Sequence, residues 1–162
     1  MIPGIGFHWY NYIDMKTMFD AEEMNVLIAR IRALTGMEKP LWGKMTVSQM
    51  VEHCIRWEEM MLGKRKVKHI WLGYLVGKIA LKSMIGDDRP VKQSIPTFRE
   101  LMVEEVDGDF EKQKEKWIGL LQGYPNAAVR DYRHPFFGKM TREQTGRLAY
   151  KHNDHHLRQF GR

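Results

Sequence analysis

The chain has 162 residues, 43% of them hydrophobic and 28% charged, with a single cysteine and a net charge of +6. That length suits one domain with a core of its own, and a lone Cys54 excludes an internal disulfide and suits a reducing compartment. Its 26 Lys and Arg are interspersed with 20 Asp and Glu, no nucleic-acid-binding motif is present, and no run of about 20 apolar residues occurs, so neither nucleic acid nor a membrane is an expected partner.

Met1 to Asp14 lacks the basic start of a signal peptide, and tyrosines and an asparagine interrupt its apolar residues, so a cytoplasmic location is expected. The first helix is predicted from about Ala21 to Leu34. Asp20 and Glu23 make a capping box, and Met24, Leu27, Ile28, Ile31 and Leu34 line one face before Gly36 and Pro40 break the pattern. The second is predicted from Val47 to Leu62, started by Thr46 and Gln49 and ended by Gly63.

A long connection follows, Gly63 to Gly108. A connection of this length is usually functional or carries structure of its own. Its basic run Lys64 to Lys68 reads as a solvated loop. The apolar stretch Ile70 to Ile85, which carries Lys78 and Lys82, reads as a shorter helix near Ile70 to Met84 that caps the open side of the core. Gly86 to Pro96 reads as irregular chain. The third main helix is predicted from Phe110 to Leu121 and the fourth from Arg142 to Phe160, started by Thr141 and Gln144. Strand signals are thin. Four helices with one long crossover between the second and third describe an all-α four-helix bundle.

One segment is nearly repeated. Trp42-Gly43-Lys44-Met45-Thr46-Val47-Ser48-Gln49 is echoed by Phe137-Gly138-Lys139-Met140-Thr141-Arg142-Glu143-Gln144, so the second and fourth helices begin alike. The repeat reads either as one good capping box used twice or as a pseudo-twofold bundle.

Histidines gather on the same two helices. His152, His155 and His156 crowd the fourth, and His53 lies on the second among Met50, Val51, Cys54, Trp57 and Met61. Residues four apart on a helix are separated by about 40° around the axis, so His152 and His156 can grip one ion; His155 lies on the other side of His152. A divalent ion of the zinc type wants at least three protein ligands, and His53 is the best third. Alone, His53 also reads as a hydrogen-bonded core histidine, and spacing does not by itself choose His156 over His155.

At this point the sequence resembles the DinB-like (YfiT-like) metal-dependent enzyme superfamily, and within it a branch known only as a domain of unknown function. The likeness rests on Leu41-Trp42-Gly43-Lys44-Met45-Thr46 with Gln49, Met50 and His53, on His134-Pro135-Phe136-Phe137-Gly138-Lys139-Met140-Thr141, and on His152 with His155-His156-Leu157-Arg158-Gln159-Phe160-Gly161. It covers roughly Met15 to Gly161 and leaves residues 1–14 as an N-terminal extension of one DinB-like domain spanning 1–162. The resemblance implies a four-helix bundle and a metal triad of His53, His152 and His156. It also implies a reaction of the kind run by characterised relatives, which include thiol S-transferases that use low-molecular-weight thiols and a mycothiol-dependent isomerase.

The expected function is therefore a metal-dependent hydrolase or thiol S-transferase acting on a small molecule, with a non-catalytic metal-binding or protein-interaction module as the alternative. Imidazole suits several ions, so the metal stays open among zinc, nickel, iron and manganese. Trp57 reads as a pocket wall or core residue, and Asp154 and Gln159 as partners that orient an imidazole. Glu52, Glu58 and Glu59 read as a solvated face, and Cys54 as a small buried hydrophobe. A homodimer is expected only because symmetric pairs are common.

Overall fold

The computed structural model of the chain describes residues 15–93, 95–127 and 133–162. The expected N-terminal extension, residues 1–14, lies outside the described residues. Among the described residues five α-helices form: α1 (Ala21–Arg32), α2 (Val47–Met61), α3 (Gly73–Ile85), α4 (Phe110–Gln122) and α5 (Arg142–Gln159). Their starts follow from local chemistry. Thr46 and Thr141 each accept from the backbone N–H three residues on, and Gln49 and Gln144 reach back to the cap, so both predicted boxes close. The glycines of the echo, Gly43 and Gly138, both have positive φ, at 81° and 71°. Asp20 caps α1 by accepting from Glu22 and Glu23, but Glu23 turns to Lys16 at 3.2 Å instead of closing a box.

The bundle is a ring in the order α1–α4–α2–α5, because α1 and α2 each pack on both α4 and α5. Each helix turns its apolar stripe inward: Leu27, Ile28 and Ile31 from α1, Trp117, Ile118 and Leu121 from α4, Leu148, Ala149 and Leu157 from α5. Each large side chain buried this way contributes roughly 1.5–3 kcal/mol. Helix α2 is buried on most of its circumference, from Val47 and Met50 to Met60 and Met61. Cys54 lies in this core, fully buried, where burial pushes its thiol well above the usual range.

Two features depart from the sequence reading. A short antiparallel hairpin precedes α5, with β1 (Arg133–His134) paired to β2 (Gly138–Lys139) and His134 opposite Gly138. Strands of two residues are too short to leave a period-two signature. Helix α3 packs on α5 and β2, yet it caps the core with one stripe only, Gly77, Leu81 and Ile85, and its other side faces solvent.

The glutamates also divide. Glu52 and Glu59 are half-buried and ion-paired, the first with Arg56 and the second with Arg65 and Lys116. Glu58 does not lie on a solvated face: it is fully buried and takes hydrogen bonds from the Tyr124 hydroxyl and, at 2.6 Å, from Asn153 Nδ2. Trp117 Nε1 donates to Asn153 Oδ1 at 2.8 Å, which closes the set. Burial raises the Glu58 carboxyl from the usual 4.5 to about 7.

Candidate metal centre

Two helices that begin alike carry the three expected ligands into one place. His53 enters from α2, and His152 and His156 enter from successive turns of α5. One ring nitrogen from each lies within 4.8 Å of the other two. The Nε2 atoms of His53 and His152 are 3.3 Å apart. His155 stands outside this set, with its ring edge-on to Trp42 at 5.6 Å.

The opposite edges of two of the rings are held. His53 Nδ1 donates to the Leu101 carbonyl at 2.9 Å, and because a carbonyl only accepts, Nε2 is left as the lone pair. Gln159 does the same for His156 by a longer route. Its Nε2 donates to the Trp42 carbonyl at 2.8 Å, which turns Oε1 to His156 Nδ1 at 3.0 Å. The amide has room to make this reach because position 43 is glycine: a Cβ there would stand 2.7 Å from Gln159 Nε2. His152 is held differently. Its ring lies flat on Trp57, with centroids 3.9 Å apart and planes within 8°, and its buried Nδ1 has no hydrogen-bond partner among the described residues.

Behind Trp57 lies His134, 5.8 Å away between ring centroids. Its Nδ1 accepts from the backbone N–H of Phe136 and of Phe137, both at 3.1 Å, so it ties the hairpin turn together. Burial lowers its pKa to about 3.

Burial is also the first cause that holds His53, His152 and His156 below the usual imidazole range. Repulsion between the rings adds to it for His152 and His156, which lie among other histidines. Neutral imidazoles at close quarters present ring nitrogens to one another; His53 and His152 lie within hydrogen-bond distance through Nε2, and a divalent ion takes the nitrogen lone pairs of such rings in place of a shared proton. Two imidazole nitrogens bound tetrahedrally at about 2.0–2.1 Å from one ion would stand about 3.3–3.4 Å apart, the separation that His53 and His152 already have. The residues present thus fit such an ion.

The other expected site residues separate into neighbours and bystanders. Trp57 and Gln159 touch the triad, as described. Asp154 spends one oxygen on Arg30 at 2.7 Å and the other on Arg158 at 2.6 Å. Sequence reasoning missed Leu101, whose contribution is a backbone carbonyl and leaves no trace in residue type. It also left unassigned the role of His134, although the residue stood in a quoted motif.

A family model described as the DinB superfamily matches residues 22–160. No curated protein and no solved structure matches the chain.

Proposed function

Because this chain belongs to the DinB superfamily, which is metal-dependent, we propose that it is an enzyme whose divalent ion is held by His53, His152 and His156. The observation that carries this reading is the convergence of three neutral imidazoles from facing helices, His53 and His156 buried and His152 half-buried. Leu101 and Gln159 fix the tautomers of two of them, and partners of this kind typically change metal affinity 10–100-fold. Trp57 covers one face of His152 and fixes the plane of its ring.

Three protein ligands leave an open position, where a divalent ion supplies Lewis acidity and lowers the pKa of a water or thiol. The three histidines contribute no negative charge, so they do not offset the charge of the ion. The reaction class this supports is attack by a small protic nucleophile on an electrophilic substrate: hydrolysis if the nucleophile is water, S-transfer if it is a low-molecular-weight thiol.

The reading is tested with untagged protein loaded in turn with zinc, nickel, iron and manganese. Each form is offered small esters, and electrophiles together with a low-molecular-weight thiol. Turnover that chelation removes, and that His152→Ala lacks, is the expected result. Turnover equal in wild type and His152→Ala would place the chemistry elsewhere. Stoichiometric metal with no turnover on either class would leave the non-catalytic module.

A further inference from the structure

Helix α3 is apolar on both sides, and among the described residues only one side has a partner. Its inner stripe is Gly73, Gly77, Leu81 and Ile85. The two glycines let it sit directly on the hairpin turn: a Cβ on either would collide with the Phe136 carbonyl. The helix is therefore held against the body by its inner stripe, and its outer residues stay outside. Leu75 is 69% exposed, Ile79 73%, Tyr74 72% and, just before the helix, Trp71 71%. Ile70, Leu72 and Val76 are exposed beside them. A contiguous face of this kind on a soluble body marks an interaction surface.

Charge identifies the partner. From Gly63 to Gly86 the chain carries Lys64, Arg65, Lys66, Lys68, Lys78 and Lys82 and no acidic residue. Glu59 neutralises Arg65, and the Glu100 carboxylate lies by the Lys68 backbone. Lys64, Lys66, Lys78 and Lys82 are exposed and have no carboxylate partner among the described residues. Lys78 reaches the backbone carbonyl of Lys139, a further exposed cation on β2. A second copy packed through this face would be self-complementary in position and bring like charges together, which disfavours it. An anionic lipid surface matches both halves of the pattern. Tryptophan, tyrosine and branched aliphatics enter the boundary between headgroups and acyl chains, and lysines rim them at headgroup level.

We propose that the outward face of α3, with the basic stretch that leads into it, docks the protein on an anionic membrane surface. No helix of the described residues is long and apolar enough to cross a membrane, so the contact is peripheral. It departs from the sequence-based expectation of no membrane partner, which weighed anionic-membrane binding through Lys64 to Lys68, Lys78 and Lys82 and set it aside by reading the basic run as a solvated loop and the apolar stretch as a cap on the core.

The test is co-sedimentation of the full chain with vesicles of phosphatidylcholine alone or with phosphatidylserine added. The expected result is binding only to the anionic vesicles, weakened by salt. Lys78→Gln with Lys82→Gln is expected to weaken it by roughly 30-fold. Leu75→Glu with Ile79→Glu is expected to weaken it by roughly tenfold or more. All four side chains are exposed, and circular dichroism will show that both variants keep their helices. Three results would overturn the proposal: no binding to anionic vesicles at low salt, equal binding to neutral ones, or binding that neither double variant changes. Sedimentation without vesicles covers the rival occupant. A dimer that Leu75→Glu with Ile79→Glu converts to monomer, in a protein that ignores vesicles, would give the face to a second copy.

Discussion

Two polar clusters share the interface between α2 and α5, and they are built on opposite principles. Around Glu58 the groups satisfy one another: the carboxylate takes Tyr124 and Asn153, and Asn153 also takes Trp117 and gives to the Ala149 carbonyl. On the same two helices His53, His152 and His156 turn ring nitrogens toward one another, and among the described residues the outer edge of His152 has no partner. A closed network specifies packing, because each buried group has the partner that burial demands. The convergent histidines are completed only in part among the described residues: His53 and His152 meet through Nε2 at 3.3 Å, and His152 Nδ1 has no partner. The same pair of helices thus separates a structural cluster from the one proposed to hold a metal, and the difference lies in who satisfies whom.

The largest effect should come from opening the closed cluster. Asn153→Ala leaves the Trp117 indole and one Glu58 oxygen buried without a partner, at a cost of about 3–5 kcal/mol. Urea unfolding checks it. A loss under about 1 kcal/mol would mean the network relaxes easily, and the contrast with the histidines would lose its meaning.

A second effect is specific to pH. The Glu58 carboxyl is raised from 4.5 to about 7, so the folded protein keeps a proton that the unfolded chain gives up between those values. Its contribution to stability is full below pH 4.5, falls as pH rises to about 7 and is flat above. Across that window Glu58→Gln should gain stability relative to wild type, by roughly 3 kcal/mol in total. Comparing the two proteins at each pH cancels the histidines, which both contain. A difference that does not vary with pH would show that the carboxyl stays ionised in the core.

The smallest effect is local to the open cluster. Gln159→Ala frees the His156 ring, and metal affinity should fall by roughly tenfold, read by competition with a chromophoric chelator. Asp154→Asn breaks pairs with Arg30 and Arg158 that touch no imidazole, and affinity should stay within about twofold. Equal losses in the two variants would erase the distinction drawn between Gln159 and Asp154.

What the sequence made legible was local or periodic. The caps at Thr46 and Thr141 depend on residues three apart, and they close as predicted. The inward faces of α1, α4 and α5 follow helical spacing. The pairing of His152 with His156 is likewise a matter of one turn, although choosing His156 over His155 needed more than spacing. What was hidden depended on tertiary contact. Glu58 sits among charged neighbours in sequence and reads as surface, but α2 packs on two helices and has little solvated face to offer. The Leu101 carbonyl that sets His53 belongs to a 3-10 turn in the crossover, 48 residues away. The run Ile70 to Ile85 announced its apolarity but not that its inner stripe would be spent on a hairpin of two-residue strands.

The central claim is that the triad holds a metal, and elemental analysis tests it most directly. Wild-type protein purified without a histidine tag is measured beside His152→Ala, each after incubation with zinc, nickel, manganese and iron salts and removal of free ion. Near-stoichiometric metal in the wild type, absent from a folded His152→Ala, is the predicted result. No metal in either, or equal metal in both, would contradict it, and the three histidines would then be core residues of a bundle that resembles its family in fold alone.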